Sequence, residues 1–256
     1  MKNRKPVLLL RWFTPFLALL LAGLRVMILK TAFDSEGLLP RKSYALLVTV
    51  LASACCFCVL WLFSSKLNRR PGRERAFSVQ GIWLPLKLIA SGLLLAGSVL
   101  LLRSQQQISF KSVEDWITCA GIVSALLMIW CSLRENRGPG FFWVRLFPTL
   151  FTGAALVVRY RIWNHNPLVI YVFPELLAWT CCMLEMMLLS GFPLNVGHRR
   201  SAILFGLSAG MFTCMTVPDY FLTERLSLPN LLVLLGLALW GFVAALELLR
   251  ERTQKK

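Results

Sequence analysis

Histidine is nearly absent from this chain: His165 and His198 are the two in 256 residues. Acids are scarce as well, twelve in all, and charged residues of both signs make up 16% of the sequence. Soluble domains carry about a quarter. With so few ligand side chains, no Cys/His/Asp cluster has metal-binding spacing and no H-E-x-x-H occurs. A P-loop and a G-x-S-x-G elbow are missing too. Metal-dependent hydrolysis, nucleotide-phosphate binding and serine-hydrolase chemistry therefore have no foothold, and neither metal nor cofactor is implied. Asp34 and Glu36 stand close together, but Asp-Ser-Glu-Gly is ordinary turn composition.

Cysteine is present but not where disulfides form. Cys55, Cys56, Cys58, Cys119, Cys131, Cys181, Cys182 and Cys214 all lie inside apolar blocks, which argues against a disulfide framework. The C-x-x-C of Cys55 and Cys58 reads as two small apolar fillers of a helix.

What the chain has in excess is apolar residues, at 57% with a mean hydropathy of +0.66. They come in long blocks rather than in alternating or amphipathic patterns. A soluble enzyme and a disordered chain are both excluded, and an all-α polytopic membrane protein is expected. About 20 apolar residues cross a bilayer core. Eight such spans can be drawn, near 8–29, 43–64, 81–102, 115–133, 141–160, 167–190, 201–218 and 229–249. The connections are short, so consecutive helices should be antiparallel neighbours. The opening Met-Lys-Asn-Arg-Lys imitates a signal peptide, but Arg11 and Arg25 bracket the block and no A-x-A site follows. An uncleaved first helix is expected.

The net charge of +16 would suggest nucleic acid in a soluble protein. Here the bases flank apolar blocks, and no basic-aromatic face of a nucleic-acid module occurs, so none is expected as a partner. Seventeen Lys and Arg fall at the N-terminus, in loops 2–3, 4–5 and 6–7, and in the C-terminal tail. Eight fall on the other side, with six acids beside them. The positive-inside rule then places both termini in the cytoplasm, with the chain in the cytoplasmic membrane. Trp12, Trp61, Trp116, Trp130, Trp143 and Trp163 lie mainly near span ends, as interfacial anchors do.

Residues 139–256 read as a second copy of residues 1–138. Span 1 holds Arg11 and Pro15, then Gly23 and Arg25; span 5 holds Arg145 and Pro148, then Gly153 and Arg159. Cys55-Cys56 and Ser64 of span 2 answer to Cys181-Cys182 and Ser190 of span 6. Spans 4 and 8 both end Leu-Arg-Glu, at Leu133 and Leu249. Each copy has an even number of spans, so the two would be parallel four-helix repeats, as in transporters built from parallel halves.

Ionisable residues inside spans are costly and mark candidate sites. At 1.5 Å per residue, Glu175 lies about 12 Å below the outer face. Arg25 and Arg159 are near the outer ends of spans 1 and 5, with stems long enough to reach toward it. Pro174 frees a backbone carbonyl beside it. Glu175, Arg159 and Arg25 are therefore the centre of an expected outward pocket, with His165, Asn166, Asp34 and Asp219 at its mouth. Lys87, Arg145, Glu185 and Glu247 share a depth nearer the inner face and are ion-pair candidates. Gly206-x-x-x-Gly210 reads as close helix packing.

Two stretches resemble an uncharacterised family of eight-helix membrane proteins of clostridial gut bacteria. Phe33-Asp34-Ser35-Glu36-Gly37-Leu38 is similar to that family's Phe-Asp-Pro-Glu-Thr-Gly-Leu loop, one residue shorter and without its proline. Trp163-Asn164-His165-Asn166-Pro167 and Ile170-Tyr171-Val172-Phe173-Pro174-Glu175-Leu176-Leu177-Ala178 resemble its Trp-Ser-x-Asp-Pro and Asp-Tyr-x-Phe-Glu-Leu-Leu-Ala. Two family aspartates are Asn166 and Ile170 here, and Pro174 is inserted before the glutamate. Ser190-Gly191-Phe192 and Arg199-Arg200 fit as well. The resemblance implies a topology and a source type, and no activity.

The expected function is binding or transport of a small molecule or lipid in a pocket between the two repeats. The alternative is a non-catalytic accessory subunit or membrane scaffold, with a protein partner or a second copy of the chain. A lipid-modifying membrane enzyme ranks third.

Overall fold

A computed structural model describes residues 4–31, 44–67, 71–72, 83–104, 112–134, 140–164, 169–194, 196–223 and 226–249. Eight helices occur among them: α1 (Arg4–Thr31), α2 (Ala45–Ser65), α3 (Trp83–Ser104), α4 (Val113–Leu133), α5 (Gly140–Asn164), α6 (Val169–Ser190), α7 (Arg199–Thr223) and α8 (Leu228–Leu249). All eight are long and apolar enough to cross a membrane. The chain is a polytopic membrane protein. Two short pieces, β1 (Pro71–Gly72) and β2 (Gly197–His198), pair antiparallel between the α2–α3 connection and the start of α7.

Helices form here because lipid offers backbone groups no partners, so each must bond within its own segment. Hydroxyls solve the same problem locally. Thr14 donates to Leu10 O at 2.7 Å, Ser91 to Lys87 O at 2.9 Å and Thr180 to Leu176 O at 2.7 Å. Helix α4 starts on a cap: Ser112 Oγ accepts from the Asp115 backbone N–H at 3.2 Å, with Glu114 and Asp115 in the first turn against the helix dipole. Ser112→Ala should therefore lower stability by about 1 kcal/mol, the usual worth of a cap. Chemical unfolding in mixed micelles measures it; an unchanged midpoint would show the cap idle.

Helices α7 and α8 are the most enclosed, and α1 and α2 are among the least. α8 lies along α3 more extensively than any other pair of helices meets; α7 packs on α1, α2, α6 and α8. α3, α4, α5, α6 and α8 form a ring of successive neighbours. Within each half α1–α2 answers to α5–α6 and α3–α4 to α7–α8. But α6 packs extensively on α7, whereas α2 and α3, expected as neighbours, share no comparable contact among the described residues, because α2 packs on α1 and α7 instead. Between halves the joints differ. The long α3–α8 contact has no comparable α4–α7 counterpart among the described residues.

Outward faces carry large apolar side chains, with Trp12, Trp61, Trp116, Trp130 and Trp143 all exposed. The Arg134 guanidinium stacks 4.1 Å above the Trp130 ring at the end of α4. A cation over an indole at a helix end is what a headgroup boundary favours. The end of the bundle where α1, α3, α5 and α7 begin is called the basic end below, and the other the opposite end.

Candidate functional site

Two arginine–acid pairs form toward the opposite end. Arg159 on α5 holds Glu175 on α6, Nε to Oε1 at 3.7 Å. Arg25 on α1 holds Asp219 on α7, with Nε and one terminal nitrogen both 2.9 Å from Oδ1. In each pair the acid directly follows an in-helix proline, Pro174 or Pro218. A proline there removes one backbone N–H from the ladder and loosens the turn that carries the acid.

Arg25 therefore does not join Glu175. α1 packs against α7, not α6, and lateral packing decides which of two equally deep acids an arginine meets. Asp219, expected at the mouth of the pocket, is instead Arg25's partner. Asp34, His165 and Asn166 lie outside the described residues.

A cavity of about 170 Å³ opens beside the Arg159–Glu175 pair. Its wall takes Ser98 from α3, Glu114 and Thr118 from α4, Phe151 and Arg159 from α5, Trp179 from α6, and Asn230 and Val233 from α8. A dry cavity of about 150 Å³ is large enough to hold benzene. The deeper lining is apolar: the Phe151 and Trp179 rings meet edge-on, their centroids 6.4 Å apart. Polar groups converge higher up, where Arg159, Glu114 and Asn230 come from three different helices. Apolar walls with a few convergent polar groups are the mark of a ligand site. Glu114 and Asn230 were not singled out in the sequence, because an acid or amide in a helix's first turn ordinarily serves the helix end. Their signal is position: both belong to first turns at the same end as Arg159.

Nearer the basic end, Lys87 on α3 pairs with Glu247 on α8, its Nζ also 5.4 Å from the Trp240 ring centroid. Arg145 on α5 donates to Leu189 O at 3.1 Å. Glu185, at the same depth, does not complete a second ion pair. It faces α7 and α8, whereas Arg145 comes from α5 and is turned to the end of α6. Gly206 and Gly210 do lie at helix contacts, against Ala245 and Phe242 of α8. All eight cysteines are free thiols. Among the described residues, no group of three or more His, Cys, Asp and Glu is placed to hold a metal.

No protein-family model matches the chain, and neither does any curated protein or solved structure.

Proposed function

We propose that the chain is a cytoplasmic-membrane protein, both termini inside, that binds a small molecule or lipid headgroup in this cavity and carries it toward or from the outer face. The observation that carries the reading is the composition of the wall. α3 and α4 from the first half and α5, α6 and α8 from the second enclose one space, and the Arg159 guanidinium stands in it among hydroxyls, an amide and the Glu114 carboxylate. The positive-inside rule makes the basic end cytoplasmic and turns the cavity outward. A ligand that suits it has an apolar body and an anionic group. Arg159 is the recognition group. Its 3.7 Å spacing from Glu175 is longer than a hydrogen bond, so the guanidinium keeps donors for a guest while Glu175 holds it in place.

The experiment is native mass spectrometry of protein purified in mild detergent. A small-molecule or lipid adduct is expected on the wild type. A hydrogen bond to a charged group contributes about 1.5–3 kcal/mol, so Arg159→Gln should weaken the adduct about tenfold or more. Glu175→Gln, which lets the guanidinium swing away, should weaken it too. Arg200→Gln, at the far end of the bundle, should leave it intact. An adduct that survives both cavity substitutions sinks the site.

A further inference from the structure

Glu185 is a buried acid that neither the cavity nor the ion pairs described above use. It is fully buried in α6, and neither carboxyl oxygen has a hydrogen-bond partner among the described residues. Two glycines make its room. A Cβ at Gly206 of α7, or at Gly241 of α8, would collide with the carboxyl group, and Ala245 closes the space beside Gly206. Three helices thus meet around one carboxyl that fills the volume of two missing side chains.

Among the described residues, none is hydrogen-bonded or ion-paired to this carboxyl. On its own helix, Cys181 and Cys182 are within electrostatic reach. α7 presents Gly206 and α8 presents Gly241, neither of them titratable. Of the charged groups that neighbouring helices bring to this half of the bundle, Lys87 and Glu247 pair with each other, Arg145 donates to Leu189 O and Arg199 to Leu248 O. Arg11 on α1 and Arg200 on α7 each keep a buried Nε without a hydrogen-bond partner, and neither bonds the Glu185 carboxyl. An ionised carboxylate cannot stay bare in an apolar interior, because leaving water costs more than the contacts there return. A metal cation would need several oxygen ligands, and the described residues supply no such cluster. The countercharge left is a proton.

We propose that Glu185 is a proton-binding site at the α6–α7–α8 junction, its carboxyl exchanging one proton with the aqueous phase. The protonated acid suits the glycine cradle. The ionised form demands water, so proton loss drives α6 away from α7 and α8. Because α6 and α8 also wall the cavity, the proton and the cavity share moving parts. The proton site itself does not depend on what the cavity holds.

Infrared spectroscopy of the full chain in nanodiscs tests this. At neutral pH the wild-type-minus-Glu185→Gln difference should contain a protonated-carboxyl C=O stretch. Glutamine is nearly isosteric with the neutral acid, so this variant should fold. Its unfolding temperature should lack a component that the wild type shows. That stability is full below the ordinary carboxyl range, falls as pH rises above it because the unfolded chain gives up its proton first, and is gone once pH passes the point of release. A carboxylate band at neutral pH in place of the acid band overturns the proposal, as does an identical pH dependence in the two proteins. Should Glu185→Gln fail to fold, carboxyl-13C glutamate in the wild type, Glu175→Gln and Glu247→Gln decides the matter. A protonated-glutamate band should persist in all three, and its absence from the wild type overturns the site.

Discussion

Glu247→Ala should destabilise the bundle by about 3–5 kcal/mol, the cost of stranding one member of a buried ion pair. Side-chain exposure is 7% for Lys87 and 6% for Glu247, so water cannot replace the lost partner. The neighbourhood makes matters worse. Arg145 is within electrostatic reach of both members, so removing the acid leaves two cations facing each other. Stacking of Lys87 near Trp240 cannot absorb this. That indole is itself fixed, its Nε1 donating to Ser132 Oγ at 3.2 Å. Replacing both members, Lys87→Met with Glu247→Met, should recover more than half of the loss, since paired charges contribute little net stability over apolar groups of similar volume. Unfolding in mixed micelles across the double-mutant cycle gives the coupling. Additive losses would show that the two groups do not act as a pair.

The sequence made depth along the membrane normal legible and left lateral position hidden. Depth follows from counting residues at a fixed rise, so Arg159 and Glu175, at the ends of consecutive antiparallel helices, could be put together by arithmetic. Lys87 and Glu247 could be matched in depth for the same reason, though 160 residues separate them. Arg25 is as deep as Arg159 but belongs to a helix that packs on α7, and nothing in the spacing of charges announces that neighbour. Glu185 is the sharper case. By depth it is one of four ion-pair candidates, yet its neighbours are two glycines, and a glycine's value as empty volume appears only when helices are docked. Hydropathy ends span 7 at Pro218, whereas α7 continues to Thr223. Membrane helices tolerate internal proline because neighbouring groups satisfy the freed carbonyl.

The α3–α8 contact carries the remaining large effect. A Cβ at Gly236 would sit 2.6 Å from Leu94 N and 2.7 Å from Ala90 O; one at Gly97 would sit 2.7 Å from Pro229 O and 2.8 Å from Val233 N. All four obstacles are backbone atoms, so no rotamer change relieves them and the helices must move apart. In lipid, close packing is itself a main source of helix association. Gly236→Ala should then cost about 1–3 kcal/mol, as overpacking does, and Gly236→Leu should prevent the folded bundle from accumulating. Gly92, on α3 with Gly97, has nothing within 4 Å of an added Cβ. Gly92→Ala should be neutral or slightly stabilising, since alanine is the better helix former. The pair of substitutions separates contact from propensity. The α3–α8 seam also joins the Lys87–Glu247 pair at one end to Ser98 and Val233 of the cavity wall at the other. Wedging it open with Gly236→Ala should therefore weaken the cavity adduct as well as the fold. Equal stabilities for Gly236→Ala and Gly92→Ala would mean that the two helices are not in backbone contact.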